Sequence, residues 1–170
     1  MAALTADRNT VRREGNLRAE PVKASTKIYG GSIVVLDASG WAVPATAAVS
    51  LIPGGIATGQ ADNSAGANGA VNVECRFGVF KLANGDTITK ADIGKLAFAF
   101  DDQTVKKAAA GLSPIGTVVD VDSDGVWVDV QPRRPSDAAN ADTSGATLAN
   151  LEIEVNEIKA TLRNFGVIAA

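Results

Sequence analysis

The amino-acid sequence predicts a mainly β protein: a compact antiparallel β-barrel or sandwich with an extended N-terminal arm and a C-terminal α-helix. Short apolar stretches recur between residues 22 and 131, several of them alternating with polar residues as half-buried strands do. Seventeen glycines and six prolines interrupt these stretches, which favours short strands joined by tight turns. Near the end of the chain the apolar spacing changes to three and four, which indicates a helix.

The chain divides into four zones on this basis. Residues 1–21 are polar and are interpreted as an arm, and residues 22–131 form the β domain. Residues 132–146 contain two prolines followed by small polar residues, which is typical of a linker. Residues 147–166 carry the helical pattern. Since only 5% of the chain is aromatic, the core is expected to consist mainly of Val, Ile, Leu and Ala.

The arm has four arginines set among acidic residues and shows no apolar periodicity. An extended arm and a disordered tail both fit this composition. The acids nearly cancel the arginines, so a DNA-binding tail is the least favoured interpretation. The candidate contact residues of the arm are Arg8, Arg12, Arg13 and Arg18.

Strands of the β domain are predicted in chain order. Ile33–Leu36 and Trp41–Val43 flank a turn and form a hairpin. The alternation from Val71 to Val79 predicts one half-buried strand, in which Cys75 is a small core residue. Leu96, Phe98 and Phe100 repeat that pattern.

The strongest hairpin signal lies near the end of the β domain. Ile115–Val121 and Val126–Val130 flank Ser123-Asp124-Gly125, and Asp-Gly tolerates the positive φ of such turns. The valines of the second strand share a face, so Trp127 points outward, where it either anchors an interface or covers a loop of its own subunit. The stretch Gly59–Ala70 is expected to be a surface loop.

Catalytic motifs are poorly supported, and the chain is not expected to be an enzyme. It has no histidine, so Cys75 has no imidazole to activate it, and its inward position favours an inert thiol. Pro53-Gly54-Gly55 and Gly59 lack the lysine of a phosphate-binding loop and are interpreted as turn residues. No cofactor is expected.

One acidic segment resembles the first half of a calcium loop. Asp120, Asp122 and Asp124 alternate before Gly125, but Gln131 stands where a bidentate carboxylate is needed. The flanking segments also read as strands rather than helices. A solvated hairpin is therefore preferred, and no metal site is expected.

The C-terminal helix carries a heptad pattern that favours association between chains. Glu154 at g and Lys159 at the next e position suit charge pairing between parallel helices, whereas Ile153 at f does not fit a simple coil. A helix folded back on its own β domain is the competing interpretation, and the pattern does not distinguish a dimer from a trimer. The predicted oligomer interface is Leu148, Leu151, Val155, Ile158, Leu162 and Phe165.

Net charge and the absence of targeting signals limit the expected location and binding partners of the protein. The formal net charge of −3 lacks the basic footprint that nucleic-acid binding needs. A single cysteine fits assembly in a reducing cytoplasm. No secretory signal and no run approaching the roughly 20 apolar residues of a membrane span are apparent. We therefore expect neither nucleic acid nor membrane as a partner.

Several glycine and apolar motifs give the β domain a family resemblance. Three of them are Gly30-Gly31-Ser32-Ile33-Val34-Val35, Arg76-Phe77-Gly78-Val79-Phe80-Lys81-Leu82 and Pro114-Ile115-Gly116-Thr117-Val118-Val119. Lys23-Ala24-Ser25 precedes the first motif, and Ile93-Gly94-Lys95-Leu96-Ala97-Phe98 lies between the last two. The region from Lys23 to Gln131 resembles the small capsid cement, or decoration, proteins of tailed bacteriophages.

The resemblance implies a compact β-barrel that forms trimers and decorates the outside of the mature phage head. It implies the major capsid protein and further copies of the chain as partners, with synthesis in the bacterial host cytoplasm and location on the virion surface. Its motifs carry no catalytic signature and do not extend to the arm or the C-terminal helix. The alternative function is a trimeric phage fibre or receptor-binding protein with a helical stalk, in which Gly59–Ala70 would be the contact loop.

The heptad interpretation leads to a first prediction. Val155→Asp and Ile158→Asp should each loosen the oligomer, because each places a carboxylate in the apolar seam. Sedimentation equilibrium of the full chain would show a lower mass for both variants. An unchanged mass for both would remove the coiled coil as the means of association.

Overall fold

The computed structural model describes residues 15–132, which form twelve β-strands and one short 3-10 helix, η1. The first seven strands are β1 (Leu17–Pro21), β2 (Thr26–Ile28), β3 (Ile33–Leu36), β4 (Ala42–Pro44), β5 (Ile52–Ala57), β6 (Ala61–Asn63) and β7 (Asn72–Arg76). The remaining elements are β8 (Gly78–Asn84), η1 (Lys90–Asp92), β9 (Leu96–Ala99), β10 (Thr104–Lys106), β11 (Ser113–Asp122) and β12 (Gly125–Val130). The prediction of a mainly β protein with antiparallel sheets is confirmed.

A five-stranded closed barrel occupies the C-terminal half of the described chain. Its strand order is β10-β8-β12-β11-β9, and all neighbours are antiparallel except β10 and β8, which are parallel. Closure leaves no free edge in this sheet. The expected barrel is thereby confirmed in part: it is small, contains one parallel pair and spans only the C-terminal half of the predicted β domain.

The N-terminal half forms a second sheet of order β1-β7-β5-β3-β4 and a two-stranded sheet of β2 and β6. An isolated parallel bridge joins Val22, just after β1, to Ala42 at the other edge of the five-stranded sheet. The N–H of Lys23 also donates to the carbonyl of Ala42 over 3.1 Å. The two edges of this sheet therefore meet at one end.

Two apolar cores lie on opposite faces of β3 and β5. Along β3, Ile33 and Val35 belong to the barrel core, whereas Val34 belongs to the second core. Along β5, Ile56 belongs to the barrel core and Ala57 to the second core. Because side chains alternate along a strand, these two strands are buried on both faces. The second core comprises Val22, Ile28, Val34, Ala42, Ala57, Ala61, Val73 and Cys75.

Close backbone packing accounts for the glycines of β5. Pro53-Gly54-Gly55 was expected to be a turn, and that expectation is wrong, since all three residues lie within the strand. A Cβ on Gly55 would lie 2.9 Å from the carbonyl oxygen of Arg76, and φ at Gly55 is +108°. Glycine is needed there because both the space and the backbone angle exclude a side chain.

The predicted strand from Val71 to Val79 is two strands, β7 and β8, with a break at Phe77. Gly78 adopts a φ of +140°, which ends the alternation of β7. Val73, Cys75 and Phe77 are buried as predicted, but Val79 is 49% exposed. The glycine directs the chain from the first sheet into the barrel.

The hairpins are largely as predicted, with one change of detail. β3 pairs with β4, and β11 pairs with β12, both antiparallel. The second turn is Ser123-Asp124, since Asp122 pairs with Gly125, and Gly125 has no positive φ. A Cβ on Gly125 would lie 2.9 Å from the carbonyl oxygen of Leu82, so close approach of β8 explains this glycine.

Two boundaries differ from the sequence prediction. The last five residues of the predicted arm are β1, a strand paired with β7. The predicted loop Gly59–Ala70 contains β6, in which Ala61 and Asn63 are buried. The predicted helix at 147–166 and nearly all of the predicted linker lie outside the described residues. None of the helices in the described part is long and apolar enough to cross a membrane.

A glycine on β11 tests the tightness of the barrel. A Cβ on Gly116 would collide with the carbonyl of Asp129 and lie 2.9 Å from a methyl group of Val128. We expect Gly116→Ala to lower the free energy of unfolding by about 1–3 kcal/mol, as overpacking does. Urea unfolding measures this change.

Gly59→Ala is the matched control, because a Cβ at Gly59 meets no atom within 4 Å. Equal unfolding midpoints for the two variants would show that the barrel wall accommodates the methyl group.

Candidate interaction surface

An outward-facing row of large apolar side chains runs along β9 and into the turn after it. Leu96 is 52% exposed, Phe98 is half-buried and Phe100 is 40% exposed. The intervening Ala97 and Ala99 are fully buried in the barrel. We call Leu96, Phe98 and Phe100 the β9 row. The prediction that these three residues face the core, as in the preceding strand, is therefore wrong.

The width of the barrel explains this reversal. Ala97 pairs with Gly116 on β11, and Ala99 pairs with Val105 on β10. A five-stranded barrel has little interior volume, so its inward positions on β9 take small side chains. The larger residues of the same strand then lie outside.

Neighbouring strands extend the β9 row sideways. On β11, Thr117 lies opposite Leu96 and the half-buried Pro114 lies opposite Phe98. The N–H of Gly94 donates to the carbonyl of Val118 over 2.8 Å, so the backbone at Ile93 and Val119, whose side chains are exposed, lies beside the Leu96 end of the row. Several exposed apolar side chains in one region mark contact surfaces more often than single ones do.

A lysine borders the other side of the row. Lys106 on β10 pairs with Phe98, and its Nζ lies 3.6 Å from the ring centroid of Phe100. This is cation–π geometry, in which the ammonium group is attracted to the face of the ring. The contact favours one orientation of an exposed aromatic ring.

A buried carboxylate anchors the segment that leads into β9. Asp92, in η1, is 6% exposed and accepts hydrogen bonds from the backbone N–H and the hydroxyl of Thr89, at 3.0 and 3.2 Å. Both of these bonds are to Oδ2, and Nζ of Lys107 lies 3.6 Å from the same oxygen. Nζ of Lys95 lies 2.9 Å from Oδ1. The Thr89 N–H, with the Lys95 ammonium, holds the pKa of Asp92 well below its ordinary value.

Arg18 is the one predicted arm residue within the described part of the chain. It lies on β1, opposite Cys75 of β7, and its guanidinium is 5.2 Å from the ring centroid of Phe77. Arg18 therefore lies on a strand paired with β7 rather than in an extended arm, which corrects its place in the fold. Its side chain is exposed, and its contact with a capsid stays a prediction. Arg8, Arg12 and Arg13 lie outside the described residues.

The predicted oligomer interface stays a prediction. All six of its residues lie outside the described part of the chain: Leu148, Leu151, Val155, Ile158, Leu162 and Phe165.

Trp127 points outward from β12, as predicted, and contacts its own subunit. Its indole N–H donates to Oδ2 of Asp122 over 2.8 Å, and Nζ of Lys81 lies 5.7 Å from its ring centroid. The side chain is half-buried. Of the two interpretations, the contacts favour a tryptophan that covers the hairpin of its own chain.

Two carboxylates of the acidic segment before Gly125 form ion pairs with Lys81. Nζ of Lys81 lies 3.0 Å from Oδ2 of Asp122 and also contacts Oδ1 of Asp124. Asp120 accepts a hydrogen bond from the N–H of Val121. Between residues 15 and 132, no three His, Cys, Asp or Glu side chains are grouped as a metal ion requires.

Cys75 is fully buried in the second core, as predicted. Burial, together with the charges of Glu20 and Glu74, raises the pKa of its thiol to about 12. The thiolate, which is the reactive form, is therefore a very small fraction at neutral pH.

Comparison of the chain with protein-family models, with curated proteins and with solved structures found no match. The β9 row is thus a candidate site defined by its own geometry. Sequence reasoning identified these residues but assigned them to the wrong face, because Leu-Ala-Phe-Ala is apolar on both faces of the strand.

The anchor at Asp92 predicts how stability depends on pH. Since the folded-state pKa lies below the ordinary value of 3.8, the contribution of Asp92 is fully present above that value and is lost as the pH falls below it. Asp92→Asn should therefore lower stability at neutral pH and reduce the loss of stability on acidification below about pH 4.

Urea unfolding at a series of pH values measures this effect. Asp120→Asn is the control, because within the described residues its carboxylate contacts only the N–H of the next residue. Parallel stability curves for the wild-type chain and Asp92→Asn would contradict the anchoring role.

Proposed function

We propose that this protein is a capsid decoration, or cement, protein that binds the outer surface of the mature head of a tailed bacteriophage. It acts without catalysis, as an oligomer whose expected form is a trimer. Each oligomer bridges neighbouring capsomers and thereby stabilises the shell against the outward pressure of packaged DNA. Its partners are the major capsid protein and other copies of itself.

The β9 row is the observation that carries the proposal of a binding role. Its side chains include two phenylalanines, and aromatic residues contribute strongly at protein interfaces. Leu96 and Phe98 lie on a strand of a closed barrel, and the ring of Phe100 contacts Lys106, so little side-chain freedom is lost on binding. A preorganised apolar surface suits a permanent structural contact.

The family resemblance of residues 23–131 supports the more specific assignment to a phage head. The closed barrel agrees with the compact β-barrel that this resemblance implies. Oligomerisation through residues 147–166 would increase the strength of attachment, because each later contact to the shell becomes effectively intramolecular.

Binding to phage heads tests the proposal directly. Purified full-length protein is co-sedimented with mature heads that have been stripped of accessory proteins, and bound copies are counted at saturation. Saturable binding at a copy number that matches three-fold positions is expected. No binding to these heads would contradict the proposal and favour the fibre or receptor-binding alternative.

A pair of substitutions tests whether the β9 row makes the contact. Leu96→Asp should weaken head binding by about tenfold or more, because it places a carboxylate in an apolar interface. Val79→Asp is the matched control, since Val79 is similarly exposed, at 49%, but lies on β8. Equal losses for the two variants would show that the β9 row is not the contact surface.

Removal of residues 1–14 separates the two candidate functions. The deletion ends before β1, so the pairing of β1 with β7 is retained. A decoration protein whose arm contacts the shell should lose affinity for heads. A receptor-binding protein with its contact surface in the β domain should retain its ligand.

A further inference from the structure

Two Asn-Gly pairs lie in the described part of the chain, at Asn68-Gly69 and Asn84-Gly85. Asparagine before glycine can lose its side-chain amide spontaneously, because the unhindered backbone nitrogen of glycine reaches the side-chain carbon of asparagine. Native structure controls this reaction through the freedom of the asparagine side chain. The two pairs therefore serve as an internal comparison.

Asn68 is exposed and its amide has one hydrogen bond among the described residues. The backbone N–H of Ala24 donates to Oδ1 of Asn68 over 2.8 Å. This bond restrains the amide at its oxygen alone. The hydrogen bond leaves Nδ2, the leaving group, unconstrained within the described part of the chain.

Asn84 is held by its own loop through both ends of the amide. Its Nδ2 donates to the carbonyl of Ile88 over 2.8 Å, and its Oδ1 accepts from the N–H of Ile88 over 2.9 Å. Rotation of this amide onto the nitrogen of Gly85 requires both bonds to break. Packing also restricts the loop, since a Cβ on Gly85 would lie 2.6 Å from Cγ2 of Thr104.

The attacking nitrogens do not distinguish the two sites. The N–H of Gly69 donates to the carbonyl of Val22, and the N–H of Gly85 donates to the carbonyl of Val105, each over 2.9 Å. The difference in side-chain restraint is therefore the feature that separates Asn68 from Asn84.

We propose that Asn68 is a site of spontaneous deamidation in the folded protein and that Asn84 is protected from it. The nitrogen of Gly69 bonds to Cγ of Asn68, the bond from Cγ to Nδ2 breaks, and the proton from Gly69 leaves with Nδ2 as ammonia. Water then opens the resulting succinimide. Cleavage between Cγ and the ring nitrogen gives aspartate, and cleavage at the backbone carbonyl gives isoaspartate.

Modification changes a junction in the N-terminal half. Isoaspartate adds one methylene to the backbone beside Gly69, whose N–H donates to the carbonyl of Val22. The space at Gly69 is tight, since a Cβ there would lie 3.1 Å from the ring of Trp41. The extra length displaces these contacts, while aspartate adds only a negative charge. The isoaspartyl form is therefore the one expected to loosen the connection between β1 and β2.

Incubation of the full-length protein in mildly alkaline buffer tests the proposal. Peptide mapping by mass spectrometry follows the mass gain at each Asn-Gly pair, and an isoaspartyl methyltransferase labels the isoaspartyl product. In the folded protein, the reaction at Asn68 should be about tenfold faster than at Asn84, because Asn84 must first break two hydrogen bonds to react.

Two controls accompany this measurement. In urea the rates at the two pairs should become similar, since both side chains are then free. Asn68→Gln should abolish the early mass gain of the folded protein. Equal rates at the two pairs in the folded protein, faster reaction at Asn84, or no reaction at Asn68 would each overturn the proposal.

Discussion

The fold depends on two strands, β3 and β5, that are buried on both faces. They separate the barrel core from the second core, so their side chains are divided between two packing environments. A strand in this position cannot place polar side chains on either face without desolvating them. The glycines of β5 allow neighbouring backbone to approach closely, and the valines of β3 fill the remaining space. The barrel and the N-terminal sheet therefore form around a shared layer.

The narrow interior of the barrel determines which side chains form its contact surface. The narrow interior is filled mainly by small and β-branched residues, which leaves Leu96 and Phe98 on the outside of β9 and Phe100 exposed in the turn after it. Asp92 and Lys106 hold the beginning of the strand and the last ring of the row. Exposure of these apolar side chains to water is unfavourable in an isolated subunit. Their burial by a partner is favourable, and because the strand is rigid, little conformational entropy is lost.

Sequence reasoning succeeded where one face of a strand was clearly polar. In Val126–Val130 the valines alternate with Trp127 and Asp129, and the structure buries the valines. On β9 both faces are apolar, so side-chain volume rather than hydrophobicity determined which face is inside. The residues of β1 were assigned to the arm because the charged residues Arg18 and Glu20 leave no apolar alternation to predict a strand. This strand forms by pairing with β7. The six heptad residues lie outside the described part of the chain, so their interface role stays a prediction.

The placement of the chain's single thiol has a consequence for following the protein in solution. Cys75 is the only cysteine and lies in the second core, whereas no cysteine lies in the barrel core. Its modification by a thiol reagent requires that core to open, because the buried thiol is both inaccessible and protonated. The modification rate therefore reports the opening of the second core alone. Its comparison with the rate of global unfolding shows whether the two halves unfold as one cooperative unit.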